Sequence, residues 1–207
     1  MAETDGRRRR GERSRARILA HSAAIASTEG LEGLSLGRVS ADAGVGKANI
    51  QALFGDKEAL QLATLEAAVG LYQTAVVAPA MAERSPLARL LALVEGWFRF
   101  VAERVLPGGC FLNAVSSEYR ARPGSIRDRI NRHRAATRER FRALIAEAKA
   151  AGELKLEVDV DQLVFELIAC QAAANVAALM GDEREFRRAL ATSLSRVRAG
   201  ATQREQG

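Results

Sequence analysis

Apolar residues recur along this chain at steps of three and four, broken by glycine, proline and capping residues, which is the signature of successive amphipathic helices. A first helix is predicted over about residues 11–28, with Ile18, Ser22 and Ile25 on one face, stopping at Gly30. Ser35 is placed to cap a short helix ending near Ala43. Gly44 then turns the chain into a second short helix, from Lys47 to about Leu53. Asp56 caps a long helix from Lys57 to about Val77. Ser85 and Pro86 open the next, where Leu87, Leu90, Leu91, Val94, Trp97, Phe98 and Val101 form a core-facing stripe. Pro107-Gly108-Gly109 ends it, and a short helix carrying Phe111, Leu112, Ala114 and Val115 follows. Ser125 and Asp128 have capping-box spacing for a helix reaching about Ala151. Leu154, Leu156, Val158 and Val160 alternate with polar residues, but a strand without a partner is not stable, so an extended linker is expected. Two final helices run to Met180 and to about Arg198, capped by Asp159 and Asp182.

The fold class is therefore all-α, with about nine helices in two parts. Residues 13–56 form a helix-turn-helix domain and residues 57–200 a larger helical domain. Residues 1–12 and 201–207 are expected to be disordered.

Composition narrows the function. The chain has 207 residues, of which 48% are apolar and 27% charged, ordinary for a globular protein. Val164 to Met180 is apolar but interrupted by Glu166, Gln171 and Asn175, so no membrane span or membrane partner is expected. The N-terminus lacks the apolar stretch of a secretory signal, and Cys110 and Cys170 make no disulfide framework. A cytoplasmic location follows. The net charge of +6 suits a nucleic-acid partner. Arginines at 7–10, 13, 15 and 17 form a basic arm that would track phosphates or enter the minor groove. A second arginine-rich run, Arg120 to Arg142, reads as a solvated helix face.

The segment from Ser35 to Leu60 carries the most information. Two short helices are joined by Asp42-Ala43-Gly44-Val45-Gly46, with Val39, Val45, Ile50 and Leu53 as the small core between them. That is the helix-turn-helix arrangement, whose second helix enters the major groove. Leu34-Ser35-Leu36, Val39 and the run Ala43-Gly44-Val45-Gly46-Lys47-Ala48-Asn49-Ile50-Gln51-Ala52-Leu53-Phe54-Gly55-Asp56-Lys57-Glu58-Ala59-Leu60 resemble the DNA-binding domain of the tetracycline-repressor (TetR) family over residues 13–65. The resemblance implies a homodimeric repressor that binds a palindromic DNA operator and is released by a small-molecule effector. It also implies a four-helix dimer interface from the last two helices. The chain departs from the family pattern at Gly46, Gln51, Ala52 and Ala26, where serine, tyrosine, histidine and an aromatic are usual.

DNA-contacting residues are expected at Ser35, Arg38, Lys47, Ala48, Asn49, Gln51, Ala52 and Lys57. Asn49 and Gln51 are amides able to read adenine, Ala48 lets the duplex approach closely, and Lys47 and Lys57 suit phosphates. An effector pocket is expected from Trp97, Phe98, Cys110, Phe111, Asn113, Gln171 and Asn175. His21 and His133 are isolated, and no P-loop or catalytic constellation is present, so no enzyme activity, metal or cofactor is expected. The competing reading is a helical carrier or interaction protein that binds a lipophilic molecule and keeps only a vestige of DNA binding.

Overall fold

The computed structural model describes residues 2–202, with side chains described from Gly11 onward. Its helices are α1 (Ala2–Glu29), α2 (Leu36–Ala43), α3 (Lys47–Phe54), α4 (Lys57–Tyr72), a π-helical turn (Gln73–Val77), α5 (Ala78–Met81), α6 (Pro86–Ala102), α7 (Phe111–Glu118), α8 (Ser125–Ala150), α9 (Val160–Met180) and α10 (Glu183–Ala199). Because α4, the π turn and α5 follow without a break, the described residues form nine helical rods, and the all-α expectation holds.

Capping chemistry explains most of the boundaries. Ser35, Ser85, Asp159 and Asp182 each accept the backbone N–H three residues on, as an N-cap should. Asp56 does the same for Ala59 at 2.8 Å. Two starts differ from expectation. The first helix begins at Ala2 rather than near Gly11, so the expected disordered arm over 1–12 has helical backbone from residue 2 onward. Arginine is a good helix former and no proline interrupts the run. The side chains of Arg7 to Arg10 lie outside the described residues. Ser125 is not a cap: it sits inside α8 and donates to Glu58, while the Asp128 N–H bonds the carbonyl of Gly124. The segment after α8 also differs, because Leu154 pairs with Ala201 in a single antiparallel bridge. Residue 201, expected to be disordered, is that partner; residues 203–207 lie outside the described residues.

The chain divides into two compact units, residues 1–71 with 106–131, and residues 72–105 with 132–207. This differs from the expected boundary at 56/57. The first unit keeps α4 as far as Leu71 because Leu60 and Leu65 are fully buried, and because the amide of Gln61 donates to the carbonyl of Leu31 at 2.6 Å. It also holds α7. There the N–H of Gly108 donates to the Ser27 hydroxyl, and a Cβ at Gly108 would stand 1.7 Å from the Ser27 carbonyl oxygen. Only glycine allows that approach.

In the second unit, Trp97 and Phe98 on α6 pack edge-to-face, and Phe98 meets Phe186 of α10 in the same manner at 5.4 Å. Of the expected pocket residues, Trp97, Phe98, Gln171 and Asn175 are buried in this unit, whereas Cys110, Phe111 and Asn113 belong to the first. Helix α9 is apolar around most of its circumference. It is the one helix among the described residues long and apolar enough to cross a membrane, but Glu166 within it is bound by Arg196 and Gln162. One side of α9 faces outward with Phe165, Val176 and Met180 at 67%, 61% and 80% exposure.

Candidate nucleic-acid interface

The turn between α2 and α3 is built as its residues dictate. Gly44 closes α2 in the left-handed region at φ 62°, donating its N–H to the carbonyl of Ser40. The Ser40 hydroxyl reaches across the turn to the carbonyl of Val45. Val39 and Ile50 are completely buried and Phe54 nearly so; Val45 and Leu53, also expected in this small core, are half-buried. With Ile50 and Phe54 turned inward, Lys47, Ala48, Asn49, Gln51 and Ala52 are all exposed on the remaining surface of α3.

Gly46, at the N-cap of α3, contributes no side-chain hydrogen bond. The N–H groups of Lys47 and Ala48 therefore have no acceptor within the helix, a feature that favours an anion there. The Lys47 ammonium stands on the same turn.

The other expected contacts sit in internal ion pairs. Arg38 donates to Glu29 at 2.9 Å and lies 4.0 Å from Asp42. Lys57 donates to the carbonyl of Glu32 at 2.9 Å and to its carboxylate at 3.2 Å. Ser35 is occupied as the cap of α2. Half-exposed ion pairs such as these are weak and exchange readily for a phosphate.

Behind this surface lies a polar network absent from the sequence expectations. The carboxylate of Glu118, at the end of α7, accepts the N–H groups of Leu31 and Glu32 at 2.9 and 2.8 Å. Tyr119 donates its hydroxyl to Glu32 at 2.6 Å, and Arg122 approaches the same carboxylate at 3.7 Å. The Tyr119 hydrogen bond, with Lys57 and Arg122 nearby, holds the Glu32 carboxyl below its usual range. Burial and the adjacent Glu32 push the Tyr119 hydroxyl well above its usual value. Gly30 at φ 79° leaves room for Glu118, whose carboxylate would be 2.7 Å from any Cβ there. His21 pairs with Asp42 at 2.8 Å, and Arg15 lies over the ring of Phe54. The first unit is thus tied together around the turn that precedes α2. Glu118, Tyr119 and Arg122 stand more than eighty residues from Leu31 and Glu32 in sequence, and no local pattern announces their contacts.

Residues 86–193 match the family model of the tetracyclin-repressor-like C-terminal domain. The chain belongs to the TetR family. A TetR transcriptional regulator from Chloroflexus aurantiacus J-10-FL superposes with a TM-score of 0.84 at 25% identity, over 93% of this chain and 98% of that one. One from Cytophaga hutchinsonii superposes at 0.83 with 19% identity, over 94% and 98% of the two chains. AibR, whose structure holds isovaleryl coenzyme A and operator DNA, superposes at 0.65 with 19% identity, over 86% and 97%. No curated protein sequence matched the chain. The TetR fold makes this chain a helical transcription regulator, with α2 and α3 as its helix-turn-helix.

Proposed function

We infer that this TetR-family protein is a ligand-responsive repressor that binds a palindromic operator as a homodimer and is released by a small molecule. The observation that carries this reading is the outward face of α3. It presents Lys47, Asn49 and Gln51, flanked by Ala48 and Ala52, over a buried Ile50 and Phe54. Asn49 and Gln51 would read base edges, and Ala48 and Ala52 would let the groove close over the helix. Lys47 and the free N–H groups of the first turn would hold a phosphate. Ser35, Arg38 and Lys57 would reach backbone phosphates once their carboxylate partners release them.

Dimerisation is assigned to α9 and α10. The exposed stripe Phe165, Ala169, Ala172, Ala173, Val176 and Met180 runs along α9 at helical spacing. Alongside, α10 offers an open groove of about 670 Å³ lined by Leu190, Ala191 and Leu194 between Arg187 and Arg198. A contiguous apolar surface of this kind on a cytoplasmic regulator suits a second copy, packed as a four-helix bundle. The effector would act in the helical domain, changing the pose of α4 and so the separation of two reading heads. That AibR is solved with both an acyl-coenzyme A and operator DNA supports a small-molecule and DNA partnership of this kind.

The test is selection from a random duplex library followed by fluorescence anisotropy at two salt concentrations. One enriched palindrome, bound tightly and lost in the Asn49→Ala/Gln51→Ala variant, is the expected result. A second reading, a carrier with vestigial DNA binding, draws on the engagement of Arg38 and Lys57 with acidic neighbours. Failure to enrich any sequence would favour it.

A further inference from the structure

Helix α8 changes character in its middle. Its inward stripe begins with Ile126 and Ile130 and resumes with Phe141, Leu144, Ile145 and Ala148, all buried. Continuing from Ile130 at helical steps, the same face passes through His133, Arg134, Thr137 and Arg138, all half-buried, before it reaches Phe141. Both arginines are only half exposed, while Arg132, Ala135, Ala136 and Glu139 make up the solvated face. Over two turns, then, a core-facing helix carries two guanidiniums, beside His133 and Thr137, where the stripe calls for aliphatic side chains.

Most other arginines of the second unit with comparable burial have found an acid or an acceptor. Arg142 donates to Asp161 at 2.7 Å, Arg89 donates to the carbonyl of Glu83, and Arg140 contacts Gln73. Among the described residues, no carboxylate pairs with Arg134 or Arg138. Burial, with the like charges of Arg134 and Arg142, holds the Arg138 guanidinium below its usual value. Taking a cation part-way out of water beside like charges costs free energy that only a negative partner returns.

Resting on the ligand-responsive reading above, we propose that the effector carries an anionic head group, a carboxylate or a phosphate, held by the paired guanidinium forks of Arg134 and Arg138. Two planar forks one turn apart suit the oxygens of such a group in bidentate fashion, which lysine ammoniums would not. The arginine-rich run of the sequence is then not one solvated face but two: an outward one that keeps the chain in water, and an inward pair reserved for a ligand.

The experiment uses the full-length protein, with Arg134→Gln/Arg138→Gln and Arg134→Lys/Arg138→Lys variants, followed by thermal unfolding and calorimetric titration at constant ionic strength. The probes are inorganic phosphate, decanoate and decanol. Wild type should be stabilised by roughly 5 °C at saturation by one or both anions and not by decanol. The glutamine variant should lose at least about tenfold in anion affinity, and the lysine variant should recover only part of it. A response to decanoate alone assigns a carboxylate, and a response to phosphate alone a phosphoryl group. Equal anion responses in wild type and the glutamine variant, or none in wild type, would overturn the subsite. So would a loss of operator affinity in the glutamine variant with a salt slope reduced by about 2, because the arginines would then be neutralising DNA phosphates. Operator binding by wild type, measured in parallel, keeps the two readings apart. A bound operator with no anion effect removes only the subsite, whereas an anion effect without any operator removes only the regulator.

Discussion

Helices α3 and α9 both turn an unusual face outward, and they are unusual in opposite directions. The exposed side of α3 is polar and small, built from Lys47, Asn49 and Gln51 with two alanines, over a back that is fully apolar. The exposed side of α9 is apolar, with Phe165, Val176 and Met180 in solvent, while its inward side buries the amides of Gln171 and Asn175. In α3 the hydrogen-bonding groups are left unused on the surface, which suits a polar, charged partner that offers donors and acceptors. In α9 the surface has nothing to offer but area, which suits a partner of the same kind. The outward face of a helix reports its partner more directly than its core does.

Several substitutions would break or sharpen this contrast. The largest effect is expected from Phe165→Glu/Val176→Glu. Placing two carboxylates in the proposed dimer interface should weaken association by about 3–5 kcal/mol, giving a monomer by light scattering and loss of operator binding. A variant that stays dimeric would remove α9 from the interface. Next comes Asn49→Ala/Gln51→Ala. Each lost amide contact should cost about 1–3 kcal/mol against the preferred operator, measured by anisotropy, with unfolding temperature unchanged because both side chains are exposed. Unchanged affinity would mean α3 does not read bases.

Gly108→Ala tests the scaffold behind α3. A methyl group aimed at the Ser27 carbonyl forces the α6–α7 connection away from α1 and should destabilise the protein by about 2 kcal/mol or more, seen in denaturant unfolding. A neutral result would show that the connection can yield without cost. The smallest effect concerns pH. Glu32 has a folded-state pKa lowered from 4.5, chiefly by the Tyr119 hydrogen bond. Its contribution is therefore present above the unfolded value and is lost as pH falls through the lowered folded one. Tyr119→Phe should flatten the acid limb of a stability-against-pH curve, slightly, since Glu32 is largely exposed. An identical limb would mean that Lys57 and Arg122 set the carboxyl without help.

Much of this was legible in the chain. The caps at Ser35, Asp56, Ser85, Asp159 and Asp182 and the turn at Gly44 are local devices whose residues lie within five positions of the groups they satisfy. The outward face of α3 follows from its period once Ile50 and Phe54 are taken inward. The expected pocket was not legible in the same way. Trp97 packs on Phe98 and Phe98 on Phe186 as ordinary core, and Cys110, Phe111 and Asn113 fall in a different compact unit from Gln171 and Asn175. An apolar stripe specifies that a helix faces something, without specifying what.

By itself, the sequence determined most of the helices and caps and the polar outward face of α3, because each depends on interactions between near neighbours in the chain. Only the tertiary structure decided the rest. It showed that Glu118 and Tyr119 fasten the turn before α2, that Leu154 finds a partner in Ala201, and that Arg134 and Arg138 are half-buried on α8 with no carboxylate paired to them among the described residues. Each depends on which distant segments meet, and local periodicity carries no record of that.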